Sequence, residues 1–393
     1  MARILWIGTS TEIEPDILED CLGVGIDIEV WNVVGDGARL RPHPRIRHVP
    51  MGAELVHMVE RATFDLAVMR YPYYLSDADR VQLRDLPVVA WSSEQGPTIS
   101  EAMATSVGFT RIAVNHRADL PAYRARFPDA KLFVLPFGCA KREPVAAPVD
   151  RDLLADGKCH YGCTFCGGTI KRRSVETVVI PAIEDARSLS LYGESPVDCG
   201  WLQVPGARPH YRGYFPPENA ANIYARHRVY LGISWNWGHS GYGVKLARVL
   251  SAGLPVIWHR TPGMGKDGLI EGTHLVCTST PAETRLRIDE LLSSDDYCYT
   301  LSEQGRAFAL REWRWSTNLL RLLHEVGTVQ RAVHPTAPVH APPSMGVPRV
   351  RKAQMSPVAL QDAQPATRVR RPPSMQSVRR RTTKMSPSSL KRS

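Results

Sequence analysis

At 393 residues the chain is too long for one ordinary hydrophobic core, and domain-size limits leave room for two domains plus an extra segment. The formal charge of +10 is localised: residues 334–393 contain no Phe, Trp or Tyr, ten prolines, and twelve Lys or Arg against the single acid Asp362, so the remainder is close to neutral. No apolar run reaches the roughly 18–20 residues of a membrane-spanning helix, the apolar start is too short for a secretory signal, and eight scattered cysteines then read as free thiols of a cytoplasmic protein.

Short apolar strands alternate with amphipathic stretches through residues 1–140, with strands expected at 3–7, 28–33, 66–69, 87–91, 111–114 and 131–135. This βα alternation implies a parallel sheet covered by helices on both faces. Pro136-Phe137-Gly138 ends the run, and residues 141–157, charged and proline-containing, read as an interdomain linker. A second set fills 158–330, with strands expected at 163–167, 188–192, 229–234, 255–258 and 274–277 and a closing helical stretch over 301–326. The expected fold is α/β, two Rossmann-like domains facing a cleft, with ligands at the carboxyl ends of the strands.

Residues 331–393 cannot bury enough apolar surface to offset their ordering entropy and read as a disordered, basic, proline-rich tail. The tail repeats itself: Pro342-Pro343-Ser344-Met345 recurs as Pro372-Pro373-Ser374-Met375, and Met355-Ser356-Pro357 as Met385-Ser386-Pro387. Such repeats read as short binding motifs, and the charge as a contact for a polyanion, either nucleic acid or an anionic membrane surface.

The chemistry is concentrated in residues 231–258, which parse as strand, glycine loop, helix and strand. Gly241 and Gly243 permit close backbone approach, and the free N–H groups of a helix start favour an anion. Lys245 sits in the first turn, where a cation opposes the helix dipole unless an anion such as a diphosphate lies between them. Leu246, Val249 and Leu250 supply the buried stripe, Gly253 fits a C′ position, and Pro255 opens the next strand. Trp235 and Trp237 flank Asn236 and are placed either to stack on a sugar or base or to pack in the core. On the other half, Glu94 follows a strand's carboxyl end, where a base or a hydroxyl-orienting carboxylate belongs.

Several segments, in order, resemble the GT-B glycosyltransferases, and within them the group-1-like branch that includes spore-maturation-type proteins. They are Leu135-Pro136-Phe137-Gly138; Phe165-Cys166-Gly167-Gly168 with Arg172-Arg173; Leu191-Tyr192-Gly193; Tyr211-Arg212-Gly213-Tyr214 ahead of Glu218 and Ile223-Tyr224; and Lys245 through Val256. The resemblance implies transfer of a hexosyl or pentosyl group from a nucleotide-sugar, a co-substrate bound mainly by the second domain, to an acceptor held mainly by the first, usually without a bound metal or other cofactor. It makes Gly168, Arg172, Arg173, Ser240, Tyr242, Gly243, Lys245 and Arg248 the donor-binding set, and Glu94 and His239 the catalytic candidates. Many relatives carry two glutamates eight residues apart, the second on the donor ribose. Here Ser240 and Arg248 stand at those positions, which leaves the base preference open and admits a binding protein without activity.

A competing motif is Cys159-His160-Tyr161-Gly162-Cys163-Thr164-Phe165-Cys166, whose C-x3-C-x2-C spacing is that of radical-SAM enzymes that hold a [4Fe–4S] cluster. In that family a buried strand delivers the chain to the cysteine loop, whereas residues 151–158 here are charged and lack a strand pattern. A strand through 163–167 would also send Cys163 and Cys166 to opposite faces.

Overall fold

The computed structural model describes residues 2–8, 13–33, 43–70, 72–92, 103–141, 152–156, 175–183, 189–192, 204–212, 220–232, 243–261 and 263–327. The basic tail, its repeats and the Cys159–Cys163–Cys166 motif lie outside these residues.

The first sheet comprises β1 (Arg3–Gly8), β2 (Asp27–Val33), β3 (Ile46–Val49), β4 (Leu66–Arg70), β5 (Val88–Ser92), β6 (Arg111–Val114) and β7 (Lys131–Val134). All are parallel, in the order β3-β2-β1-β4-β5-β6-β7. Strands covered on both faces read as continuous apolar runs rather than alternating ones, and β4 is buried along its whole length. Ile4, Trp6, Val68, Val89 and Trp91 point to one core, and Leu5, Ile7, Ala67, Met69 and Ala90 to the other. The edge strand β3 was not among the expected strands, because Arg47 and His48 interrupt its apolar pattern and both are exposed.

The second sheet comprises β8 (Asp152–Asp156), β9 (Leu189–Tyr192), β10 (His227–Gly232), β11 (Val256–His259) and β12 (Val276–Thr278). It too is parallel, in the order β12-β11-β10-β8-β9. Strand β8 corrects the expectation that residues 151–158 carry no strand and serve only as linker. Its apolar core is just Leu153-Leu154-Ala155, flanked by two aspartates, yet it pairs with strands on both sides. The expected strand over 163–167 lies outside the described residues.

The closing helical stretch expected over 301–326 comprises two helices, Asp295–Glu312 and Trp315–Val326. The first packs on the second domain, where Gly305 lets it approach the His274 carbonyl and Leu250. The second crosses back: Trp315, Leu319, Leu322 and Leu323 fill the core of the first domain beside Trp6, Ile17, Cys21 and Trp91. Trp6, Trp91 and Trp315 meet edge to face at 5.3–5.7 Å, and Gly138 is required beside them, since a Cβ there would lie 2.5 Å from the Trp315 ring. Among the described residues, no helix is long and apolar enough to cross a membrane, and Cys21, Cys139, Cys277 and Cys298 are buried thiols.

Candidate functional site

In open parallel sheets the ligand crevice forms where strand order reverses, because the loops on either side leave toward opposite faces. Each sheet here has one such point. In the second it lies between β8 and β10, whose carboxyl ends are Asp156 and Gly232. The segments leaving those ends carry Gly168, Arg172 and Arg173 on one side and His239, Ser240 and Tyr242 on the other. The topology thus starts both halves of the expected donor set from neighbouring strands, although those six residues lie outside the described ones. Glu94, two residues beyond β5, lies outside them as well, as do Trp235 and Trp237.

Gly243 and Lys245 are described. The helix Val244–Ala252 begins at Gly243 with no side-chain cap and no acidic residue in its first turn. Among the described residues, a Cβ added at Gly243 would meet nothing within 4 Å. Lys245 is half-buried in the first turn. At the other end Gly253 adopts the left-handed conformation (φ 81°) and its N–H closes on the Leu250 and Val249 carbonyls, as expected for a C′ glycine. Gly232 is forced by packing: the Trp258 ring, its register partner on β11, occupies the place of a Cβ.

Arg248 faces the other domain. It is buried, and its Nε donates to Asp16 Oδ2 at 2.6 Å. Two further polar junctions join the domains. Asp20 accepts Arg314 Nε and Nη2 at 2.8 and 2.6 Å and the Ser316 N–H at 2.8 Å. Asp267, from the turn Met264–Asp267 after β11, meets His116 Nδ1 at 3.1 Å and accepts the Arg117 N–H at 2.9 Å. These contacts set the two carboxyl edges across one cleft.

In the first sheet the reversal lies between β1 and β4, and the groups there escaped the sequence reading. Glu14, first residue of the helix Glu14–Leu22, is fully buried. Its Oε1 accepts Trp6 Nε1–H at 3.4 Å and lies 3.8 Å from Arg70 Nη1 at the carboxyl end of β4. Desolvation pushes this carboxyl above the ordinary carboxylate range, against the opposing pull of Arg70, of backbone donors and of Trp6. Gly8, which ends β1, is the one sequence signal: a Cβ there would sit 2.7 Å from Glu14 Oε1.

Among the described residues, no group of three or more His, Cys, Asp or Glu side chains is placed to hold a metal.

Residues 172–324 match the family model described as glycosyl transferase-like. No curated protein matches the sequence. Several solved structures share the fold at low identity. Sucrose-phosphate synthase from Thermosynechococcus elongatus superposes with a TM-score of 0.60 at 15% identity, over 83% of this chain and 98% of that one. HepE from Anabaena, in complex with UDP-glucose, gives 0.55 at 12%, over 84% and 100%. A glycosyltransferase from Rickettsia africae gives 0.55 at 9%, over 84% and 99%. The chain therefore has the GT-B fold, and its residues 172–324 are similar to the glycosyl transferase-like family.

Proposed function

We propose that the protein is a nucleotide-sugar-dependent glycosyltransferase of the group-1-like, spore-maturation-type branch, working in the cytoplasm without a bound metal. The observation that supports this reading is the helix start at Gly243, without a side-chain cap and with Lys245 in its first turn, after the strand that borders the strand-order reversal of the region similar to the glycosyl transferase-like family. A cation in the first turn is unfavourable toward the helix dipole and becomes favourable once a dianion lies between them. The nucleoside diphosphate leaving group supplies that dianion. Lys245, the Gly243 backbone, Arg172 and Arg173 stabilise its charge as the sugar passes through an oxocarbenium-like state. Gly168, Ser240 and Tyr242 line the same loops, and His239 contacts the donor. The acceptor binds the first domain, where Glu94 orients its hydroxyl; the basic tail engages a polyanionic acceptor or surface.

Arg248 belongs to the same donor-binding set, and its Nε also donates to Asp16, tying the helix Val244–Ala252 to the first domain.

The test is thermal stability of the full chain against nucleoside diphosphates and their sugar conjugates, with the visible spectrum recorded on the same anaerobic sample. Stabilisation by one nucleoside diphosphate, reduced in Lys245→Ala, supports the reading by mass action. Binding without release of nucleotide from any donor would make the protein a binding module. A brown, iron-absorbing sample stabilised by S-adenosylmethionine would transfer the chemistry to Cys159, Cys163 and Cys166.

A further inference from the structure

The two domains are joined by polar contacts of two kinds. One kind surrounds the chain crossings. Asp20 accepts the Lys141 N–H of the first crossing at 3.3 Å, and Arg314 and the Ser316 N–H of the second. The crossings are also bonded to each other, the Cys139 N–H to the Trp313 carbonyl and the Trp315 N–H to the Cys139 carbonyl. Asp16, one turn earlier on the same helix, holds Arg248. Asp20 lies six residues along the helix Glu14–Leu22, roughly 9 Å from the start that follows β1. The crossings are thus set back from the carboxyl edge of the sheet.

The other kind lies at the edges themselves. His116 and Arg117 follow the carboxyl end of β6, and Asp267 ends the turn Met264–Asp267 after β11. Asp267 Oδ2 lies 3.1 Å from His116 Nδ1, and its Oδ1 accepts the Arg117 N–H at 2.9 Å. Neither turn carries the chain from one domain to the other. In the order β1-β4-β5-β6 this contact stands three strand spacings from β1, roughly 14 Å.

The His116 and Asp267 side chains are 0% and 4% exposed, so the carboxylate has exchanged water for these two donors. Such a contact is suited to parting. On separation both groups regain their hydration, which offsets much of the lost attraction, whereas an apolar seam would only expose surface. Each turn is held by bonds of its own. The Asp119 N–H donates to the His116 carbonyl, and the Lys266 N–H to the Gly263 carbonyl, both at 3.0 Å. Either edge can therefore move as a unit.

We infer that the grip of Asp267 on His116 and Arg117 is a latch on the cleft, and that the domains swing about the crossings at Asp20 when it parts. With the pivot set back and the latch at the edge, one buried carboxylate governs how far the two carboxyl edges stand apart. The device is the same whatever ligand the cleft takes, so it does not rest on sugar transfer.

The experiment is amide hydrogen exchange, resolved to single residues, on the full-length wild type and His116→Gln at one pH. The variant keeps Asp267 as the acceptor of the Arg117 N–H and removes only the imidazole. The Arg117 amide is expected to exchange roughly 10- to 100-fold faster, the factor for losing a hydrogen bond to a charged group. The Asp119, Lys266 and Ser316 amides, bonded within the two turns and at the pivot, are expected to keep their wild-type rates.

Unchanged exchange at Arg117 overturns the latch, because the imidazole then holds nothing shut. Equal acceleration at Asp119 or Lys266 overturns it as well, since a turn has melted in place. Equal acceleration at Ser316 does the same, for the whole junction has loosened and there is no pivot. If His116→Gln does not fold, Asp267→Asn is read at the same four amides: acceleration confined to Arg117 supports the latch, and wild-type rates overturn it.

Discussion

Two helices leave the strand-order reversals of the two sheets, and their first turns are opposite in charge. Glu14–Leu22, after β1, opens with Glu14 and Asp16, so the helix brings its own anions to its positive end. Val244–Ala252, after β10, opens with Gly243 and Lys245 and no acid. The dipole of the first is answered by side chains, while the second adds positive charge to a positive end. Equivalent places in two similar domains thus differ in the charge they carry, acidic at one helix start and basic at the other. The likeness of the folds hides this, and the charge of three or four residues reveals it.

The contrast can be broken at either end. The largest effect is expected from Asp20→Ala, which strips the first helix of the carboxylate that holds Arg314 and the Ser316 N–H across the domain junction. Leaving a buried charge unpaired costs about 3–5 kcal/mol, read as a lowered thermal midpoint with or without nucleotide. Lys245→Ala removes a charge-assisted contact worth about 1.5–3 kcal/mol, or roughly 10- to 100-fold in nucleoside diphosphate affinity by calorimetry, with little change in the unliganded midpoint. Equal affinities would end the view that the second helix start is a diphosphate site. Gly138→Ala drives a methyl into the Trp315 ring and is expected to cost about 1–3 kcal/mol of stability by overpacking, measured by chemical denaturation. The smallest effect belongs to a third helix start, conventionally capped. Ser76 and Asp79 form a reciprocal capping box on the surface, so Ser76→Ala is expected to cost about 1 kcal/mol and to leave nucleotide affinity unchanged.

Much of the scaffold was legible in the sequence because strands buried on both faces advertise themselves as apolar runs. Strands β3 and β8 were not, one because Arg47 and His48 break the run at an edge, the other because Asp152 and Asp156 leave only three apolar residues between them. In the second domain, Gly243, the stripe from Leu246 to Leu250, and Gly253 could be read because they lie within eleven consecutive residues and obey local rules. The surroundings of Glu14 obey none. An acid at a helix start reads as a surface partner for the dipole, and what makes Glu14 unusual is its enclosure by Trp6 and Arg70. The pairing of Arg248 with Asp16, 232 positions away, was likewise invisible. Pairings at such separations leave no periodic trace in a single sequence.

The return of the Trp315–Val326 helix to the first domain also has a consequence for synthesis. When the ribosome has completed β7, the surface that will receive Trp315, Leu319 and Leu322 is still bare, with Trp6 and Trp91 beneath it. At about 5–20 residues per second the covering helix emerges on the order of ten to forty seconds later. Through that interval the nascent first domain carries an open apolar seam, a natural footing for a chaperone, and a chain cut short before residue 315 would keep it.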